Sequence, residues 1–193
     1  MKNTFIFAVK IIIKNSLYSI KYKGDEHDEF SRLFEEWSDI EFLEAFFEEH
    51  KSDLQKEFYD FISIEKAIEQ TIKEAEKLEQ KLIEIAEAGK TNDLENLQTL
   101  FKPLNKKDVE KYPIPDYQET KVYGSAQKSW LRIYAIRIES NVFIITGGAI
   151  KLTETMNERE HLLEELEKLN RVKQFLIDET VIDNDSIVEF FEI

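Results

Sequence analysis

The sequence predicts an α+β fold in which helices pack on one sheet. Residues 63–89 repeat apolar side chains every three or four positions, as in a helix with one buried face. Residues 120–148 are instead rich in β-branched and aromatic side chains, which favours strands. Because these strands follow the helices as a block, they predict an antiparallel meander and not alternating β-α-β units.

The composition is that of a folded chain. Its 193 residues are 42% hydrophobic and 12% aromatic, which is enough to build a core. Cysteine is absent. This excludes disulfides, thiolate nucleophiles and cysteine-ligated zinc sites, and it fits a reducing compartment.

Two strands are predicted at the start of the chain, over residues 5–13 and 17–21. The apolar run there follows a lysine, as in a signal peptide, but Lys10 and Lys14 interrupt it and no small-residue cleavage site follows. It is also shorter than the roughly 20 apolar residues that a membrane span needs. We expect a cytoplasmic protein without a membrane partner, with export as the alternative.

Residues 26–100 are predicted to be mainly helical. Residues 26–54 favour two short helices, the second capped by Ser38 with Glu41 at its third position. The aromatic residues on these helices have core spacing. A long helix over residues 63–89 begins after Ser63, and a short helix over residues 92–100 leads into a loop that contains all three prolines.

Strands then predominate. We predict strands at residues 120–124, 130–138 and 141–148, the last two joined as a hairpin. Residues 149–153 are consistent with a further short strand and residues 186–193 with a closing strand. Between these lies a second strong helix, over residues 157–179.

The charge is unevenly distributed. The formal net charge is -14, which disfavours long-range attraction to nucleic acid. Residues 102–151 nevertheless contain nine basic and five acidic side chains. The cations are therefore concentrated in the strand-rich segment.

Familiar catalytic motifs are absent from the sequence. There is no phosphate-binding loop, no dinucleotide-binding glycine motif and no nucleophile elbow. Gly147-Gly148 at a strand end is more typical of a bulge or a close backbone approach than of a phosphate cradle. His27, His50 and His161 lie on separate predicted helices without ligand spacing, so no metal or other cofactor is expected.

Arg132 is the unusual residue of the predicted sheet. In a strand, Arg132, Tyr134 and Ile136 share one face, while Leu131, Ile133 and Ala135 share the other. Both faces are mainly apolar, so a charge here requires a partner. A carboxylate from one of the acidic helices is the favoured partner, and a bound anion is the alternative.

Four pieces of the sequence resemble the RelE/ParE toxin superfamily, and in particular its HigB-like branch. They are KPL at 102–104, LRIYAI at 131–136, VFIITGGAIKLT at 142–153 and the helix that begins near Asn157. The match covers roughly residues 100–170. The resemblance implies one RelE-like domain over residues 1–193, in which residues 26–100 are a helical elaboration between the N-terminal strands and the 120–153 meander.

The resemblance also implies a small twisted antiparallel sheet with helices on one face, whose open face holds messenger RNA on the ribosome and cleaves it without a metal. Arg132 then contacts the scissile phosphate, and Lys151 and Lys121 complete the catalytic set. The remaining substrate-binding residues implied are Arg137, Lys128, Tyr134 and Thr153. A protein antitoxin is the implied partner, and direct DNA binding is not expected.

Two alternatives stay open beside this activity. The chain is longer and more acidic than RelE-like toxins, and VEFFEI at 188–193 lacks the tyrosine or histidine frequent at their C-terminal ends. It can thus be a RelE-fold relative that binds a partner without catalysis. It can also be an acidic interaction protein whose own helices cover the sheet, as an antitoxin does.

Overall fold

The fold is known from a computed structural model that describes residues 7–104 and 117–193. The strands are β1 Phe7–Ile13, β2 Leu17–Tyr22, β3 Lys102–Pro103, β4 Gln118–Tyr123, β5 Leu131–Glu139 and β6 Val142–Ile150. The helices are α1 Glu29–Glu36, α2 Ile40–Glu49, α3 Lys51–Leu54, α4 Ile64–Ala88, α5 Leu97–Leu100, α6 Glu160–Asp178 and α7 Asn184–Phe191. Short 3₁₀ turns lie at Glu57–Tyr59 and Met156–Glu158. Pro113, Pro115 and the first two residues of the predicted strand 5–13 are outside the described residues.

The α+β prediction is confirmed, with helices packed against one sheet of order β1-β2-β6-β5-β4-β3. The predicted β5–β6 hairpin is present, and β4 pairs antiparallel with β5. The expectation of a purely antiparallel sheet is wrong, because β2 runs parallel to β6. The two strands are far apart in the sequence, so no local turn dictates their relative direction.

Helices cover both faces of the sheet, whereas one face was expected to stay open. On the first face, Leu131, Ile133 and Ala135 of β5 join a core with α1, α2 and α4. On the second, Tyr134, Ile136 and Ile138 join a core with α6 and α7. The predicted alternation along β5 is therefore correct. Both of its faces are apolar, and each is buried by its own layer of helices.

Gly147 and Gly148 lie at a bulge in β6. Gly147 is opposite Tyr134 while Ile145 is opposite Ala135, which leaves Thr146 as the extra residue. A Cβ on Gly148 would lie 2.7 Å from Leu33 of α1, and one on Gly147 would meet Glu165 of α6. The two glycines thus let helices approach the strand from both sides, as the bulge interpretation predicted.

Several predicted boundaries need correction. Residues 186–193 contribute to helix α7, which Asp183 caps and whose Ile187 is buried, and do not form a strand. Asp39, and not Ser38, caps α2. Residues 149 and 150 extend β6 instead of forming a separate strand, and Lys102–Pro103 of the predicted loop pair with β4. The helix predicted over 92–100 is confined to Leu97–Leu100.

A buried asparagine ties the turns at one end of the sheet together. Asn141, between β5 and β6, donates from Nδ2 to Ser16 Oγ at 2.9 Å and to the carbonyl of Ala86 at 3.0 Å. Its Oδ1 accepts from the backbone N–H of Leu97 at 2.9 Å. One side chain therefore joins the β1–β2 turn to the end of α4 and the start of α5.

Candidate functional site

A pocket of about 790 Å³ opens where β5 begins beside the ends of β4 and β6. Three segments form its walls: the stretch after α3, the β4–β5 connection and the stretch after β6. We call it the cationic pocket. It is lined by Lys56, Phe58, Tyr59, Tyr123, Ala126, Gln127, Lys128, Ser129, Arg132, Lys151, Leu152, Thr153, Glu154 and Glu158.

Arg132 is held in this pocket by backbone carbonyls and an aromatic ring. Its guanidinium lies 4.1 Å from the centroid of the Tyr123 ring, and Nη1 donates to the carbonyls of Ser129 and Leu131, both at 2.7 Å. Burial lowers the pKa of the guanidinium, while neighbouring tyrosines and Glu74 oppose that shift. Nε and Nη2 have no hydrogen-bond partner in the described part of the chain. These donors are available to a ligand.

The expectation that a helix carboxylate pairs with Arg132 is wrong. Across residues 7–104 and 117–193, no acidic side chain makes a salt bridge with this arginine. Glu74 of α4 contributes only a longer-range attraction. The backbone carbonyls and the Tyr123 ring hold the side chain instead, and no carboxylate of the described residues neutralises its charge by direct contact.

Lys151 follows β6 directly and faces the same pocket. Its Nζ donates to the carbonyls of Thr153 at 2.6 Å and Glu154 at 2.5 Å. Burial lowers the pKa of the amine, and the charges of Arg132 and Lys121 lower it further. An ammonium has three N–H groups. One therefore remains for a ligand.

The predicted catalytic residues lie near one another. Arg132 and Lys151 both line the cationic pocket. Lys121 lies behind its wall, with Nζ 5.7 Å from the Tyr123 centroid and 3.1 Å from the carbonyl oxygen of Leu104 that it donates to. It is close enough to lower the pKa of Lys151, although it does not line the pocket.

The predicted substrate-binding residues divide into two pairs. Lys128 and Thr153 line the cationic pocket. Arg137 lies near the other end of β5, opposite Gln118, and its Nε donates to Gln98 Oε1 at 2.9 Å. Tyr134 is only 1% exposed, in the core beneath α6, where burial raises the pKa of its hydroxyl. Arg137 and Tyr134 therefore do not line the cationic pocket.

Sequence reasoning missed one wall of the pocket. Lys56, Phe58 and Tyr59 come from the segment between α3 and α4. The Tyr59 ring packs edge-on to Trp130 at 5.6 Å between centroids, and its hydroxyl donates to the carbonyl of Leu152 at 3.4 Å. The signal was the aromatic run EFYDF at 57–61, which lacks the spacing of a buried helical face.

Two of the histidines, which the sequence places on separate helices, are neighbours in the structure. The rings of His50 and His161 are 5.0 Å apart between centroids, and Phe46 contacts both. Burial and the nearby His161 lower the pKa of His50. Among the residues whose placement is described, no three histidine, aspartate or glutamate side chains form a group that could hold a metal ion.

Comparisons with known proteins add no assignment. No protein-family model, curated protein or solved structure matches the chain. Within the described ranges, no helix has the length and apolarity needed to cross a membrane.

Proposed function

We propose that the cationic pocket binds a phosphodiester of single-stranded RNA and that the protein is a metal-independent endoribonuclease. The observation that carries the proposal is that Arg132 and Lys151 share one pocket while each keeps N–H groups without a described partner. Guanidinium and ammonium groups are the usual protein partners of phosphate oxygens. The resemblance to RelE/HigB-like toxins independently suggests the same two residues.

The pocket offers one group for each step of RNA cleavage. Glu154 is exposed, and its carboxylate has no hydrogen-bond partner within the described chain, so it is our candidate base for the ribose 2′-hydroxyl. Arg132 would stabilise the charge that develops on the phosphorane. Lys151, whose pKa is lowered by burial and nearby cations, would donate a proton to the leaving 5′-oxygen.

The biological setting follows from the resemblance. We place the protein in the cytoplasm, acting on messenger RNA presented by the ribosome and restrained by a protein antitoxin. Because the whole chain carries a net charge of -14, affinity for free RNA is expected to be weak and to depend on a few phosphate contacts. The ribosome would then supply most of the substrate affinity.

A second candidate is a binding protein of the same fold without catalysis. The observation that favours it is the double carbonyl contact of Lys151, which stabilises the protonated amine and so opposes transfer of its proton to a leaving group. Histidine, the commonest general base, is also missing from the described lining of the pocket. Binding without cleavage would support this candidate.

The test separates binding from cleavage. Purified protein is incubated with labelled single-stranded RNA in the presence of a metal chelator, and separately with ribosomes that translate a defined message in magnesium-containing buffer. We expect fragments ending in a 2′,3′-cyclic phosphate, and their loss with Arg132→Ala or Lys151→Ala. Lys77→Ala, which removes an exposed cation from α4, is the control and should leave cleavage unchanged.

Growth of a bacterial host gives a second readout. Induced wild-type protein should arrest growth, and the Arg132→Ala, Lys151→Ala double variant should relieve the arrest. Binding of RNA without cleavage fragments in either assay would favour the non-catalytic binding protein over the nuclease. Absence of both binding and cleavage would overturn the proposed function.

A further inference from the structure

The segment between α3 and α4 exposes two phenylalanines beside the cationic pocket. Phe58 is 62% exposed and lines that pocket, and Phe61 is 68% exposed. Phe61 lines a neighbouring hollow of about 430 Å³ together with Lys66 and Gln70. Large aromatic rings are normally buried for the apolar area they hide. Their exposure leaves ring faces beside the pocket accessible to a ligand.

The backbone holds Phe61 outward at an energetic cost. Asp60 and Phe61 both adopt the left-handed conformation, with φ of 56° and 51°. Bulky side chains rarely adopt it, and such strain persists only where surrounding contacts impose it. Tyr59 provides the anchor by packing against Trp130, and Lys128 forms an ion pair with Asp60 at 3.1 Å.

The two hollows form one continuous surface. Both are lined by Tyr59 and Lys128, so they meet at these side chains. Lys128 Nζ also lies 5.5 Å from the centroid of the Phe58 ring. Cations and rings therefore alternate along a path that leads from Arg132 past Lys128 to Lys66. This is the pattern of a groove for single-stranded nucleic acid, in which the cations meet phosphates and the rings meet bases.

We propose that Phe58 and Phe61 stack on unpaired bases next to the phosphate held by Arg132 and Lys151, and so select single-stranded RNA over duplex. The inference rests on the proposed function, because it assigns the same RNA a path beyond the cationic pocket. A duplex keeps its base faces stacked on each other, whereas a single strand can present them to protein rings. Stacking of this kind tolerates any base sequence.

Binding measurements with three matched oligonucleotides test this inference. They are a fluorescent single-stranded RNA, its duplex and an abasic strand with the same phosphates. We expect the wild type to prefer the single strand over the other two. Phe58→Ala and Phe61→Ala should each weaken single-strand binding by about tenfold and leave abasic binding unchanged. Phe58→Trp and Phe61→Trp keep an aromatic ring and should bind the single strand like the wild type. Leu94→Ala, at a side chain that is 91% exposed elsewhere, is the control.

The outcomes distinguish the inference from the function on which it rests. Equal binding of the single-stranded RNA and the abasic strand, with no effect of the phenylalanine variants, would overturn the stacking inference. RNA binding that depends on Arg132 would be left standing by that result. Wild-type protein that binds none of the three oligonucleotides would overturn the stacking inference, and if it also cleaves no message on ribosomes it would overturn the proposed function as well. Quenching of a 2-aminopurine base by the wild type, lost in the double phenylalanine variant, would support stacking directly.

Discussion

The guanidinium of Arg132 stacks on the ring of Tyr123, its partner on the neighbouring strand, with 4.1 Å between the guanidinium carbon and the ring centroid. Tyr123 is 42% exposed, so the pair lies at the rim of the cationic pocket and not in the core. Stacking on a ring fixes the plane of a guanidinium without neutralising it. The contact therefore orients the cation that we assign to the RNA phosphate.

Replacement of Tyr123 should weaken RNA binding through Arg132. Tyr123→Leu removes the ring and about 1 kcal/mol of cation–π attraction, so single-stranded RNA affinity should fall about fivefold. Tyr123→Phe keeps the ring and should bind like the wild type. Fluorescence anisotropy with a labelled oligonucleotide measures both. An equal loss in the two variants would assign the effect to the tyrosine hydroxyl and contradict the stacking explanation.

The two glycines of the β6 bulge should respond differently to substitution. In Gly148→Ala the new Cβ would lie 2.6 Å from the backbone oxygen of Arg132 and 2.7 Å from Leu33, so the backbone must shift. In Gly147→Ala it meets the carboxylate end of Glu165, which can move. We expect Gly148→Ala to cost about 2 kcal/mol of unfolding free energy, and Gly147→Ala less, in urea denaturation. A larger loss for Gly147→Ala would contradict this packing.

Glu165 should make the stability of the fold depend on pH. Its side chain is 10% exposed, with Oε1 accepting from Lys168 Nζ at 2.7 Å and Oε2 without a partner in the described chain. Burial raises the pKa of this carboxyl to about 7 from its ordinary 4.5, and Glu29 contributes to the rise, while Lys168 and Arg32 oppose it. The folded state thus holds the proton more tightly than the unfolded state. The stability that this carboxyl contributes should be fully present below pH 4.5 and should be lost as the pH rises towards 7.

Glu165→Gln should remove that decline. Measured by urea denaturation, the wild type should lose about 2 kcal/mol relative to the variant between pH 5 and pH 8. Glu164→Gln changes the exposed neighbour on α6 and serves as the control, with the wild-type pH dependence. Parallel stability curves for wild type and Glu165→Gln would show that the buried carboxyl does not titrate in this range.

Patterns among residues close in sequence predicted the elements that such residues determine, namely α4 and the alternating faces of β5. The stripe of α4 and the cap at Ser63 were evident because helical periodicity and capping involve residues only a few positions apart. The alternating faces of β5 were predicted for the same reason. Residues 186–193 were misassigned because their run of apolar and aromatic residues is too short to separate a strand from a helix, and the decisive Asp183 cap precedes the run.

The parts that the sequence did not reveal depend on contacts between distant segments. The second helical layer follows from packing α6 against β5 and β6, which no short pattern contains. Likewise, Arg132 and Lys151 could be paired through the predicted hairpin, but the wall formed by Phe58 and Tyr59 is brought to them by tertiary packing. Arg137 lies on the same strand as Arg132, but five residues along a strand separate the two by about 17 Å.

The parallel pairing of β2 with β6 has a consequence for biosynthesis. Ser16 and Asn141, which directly precede β2 and β6 and are hydrogen-bonded to each other, are 125 residues apart. During translation the β1–β2 hairpin must wait for most of the chain to emerge, and an isolated hairpin is at best marginally stable. Leu17, Tyr18 and Ile20, fully buried in the finished protein, are then accessible on the nascent chain. The growing polypeptide is expected to engage chaperones early, and its N-terminal strands to become protected last.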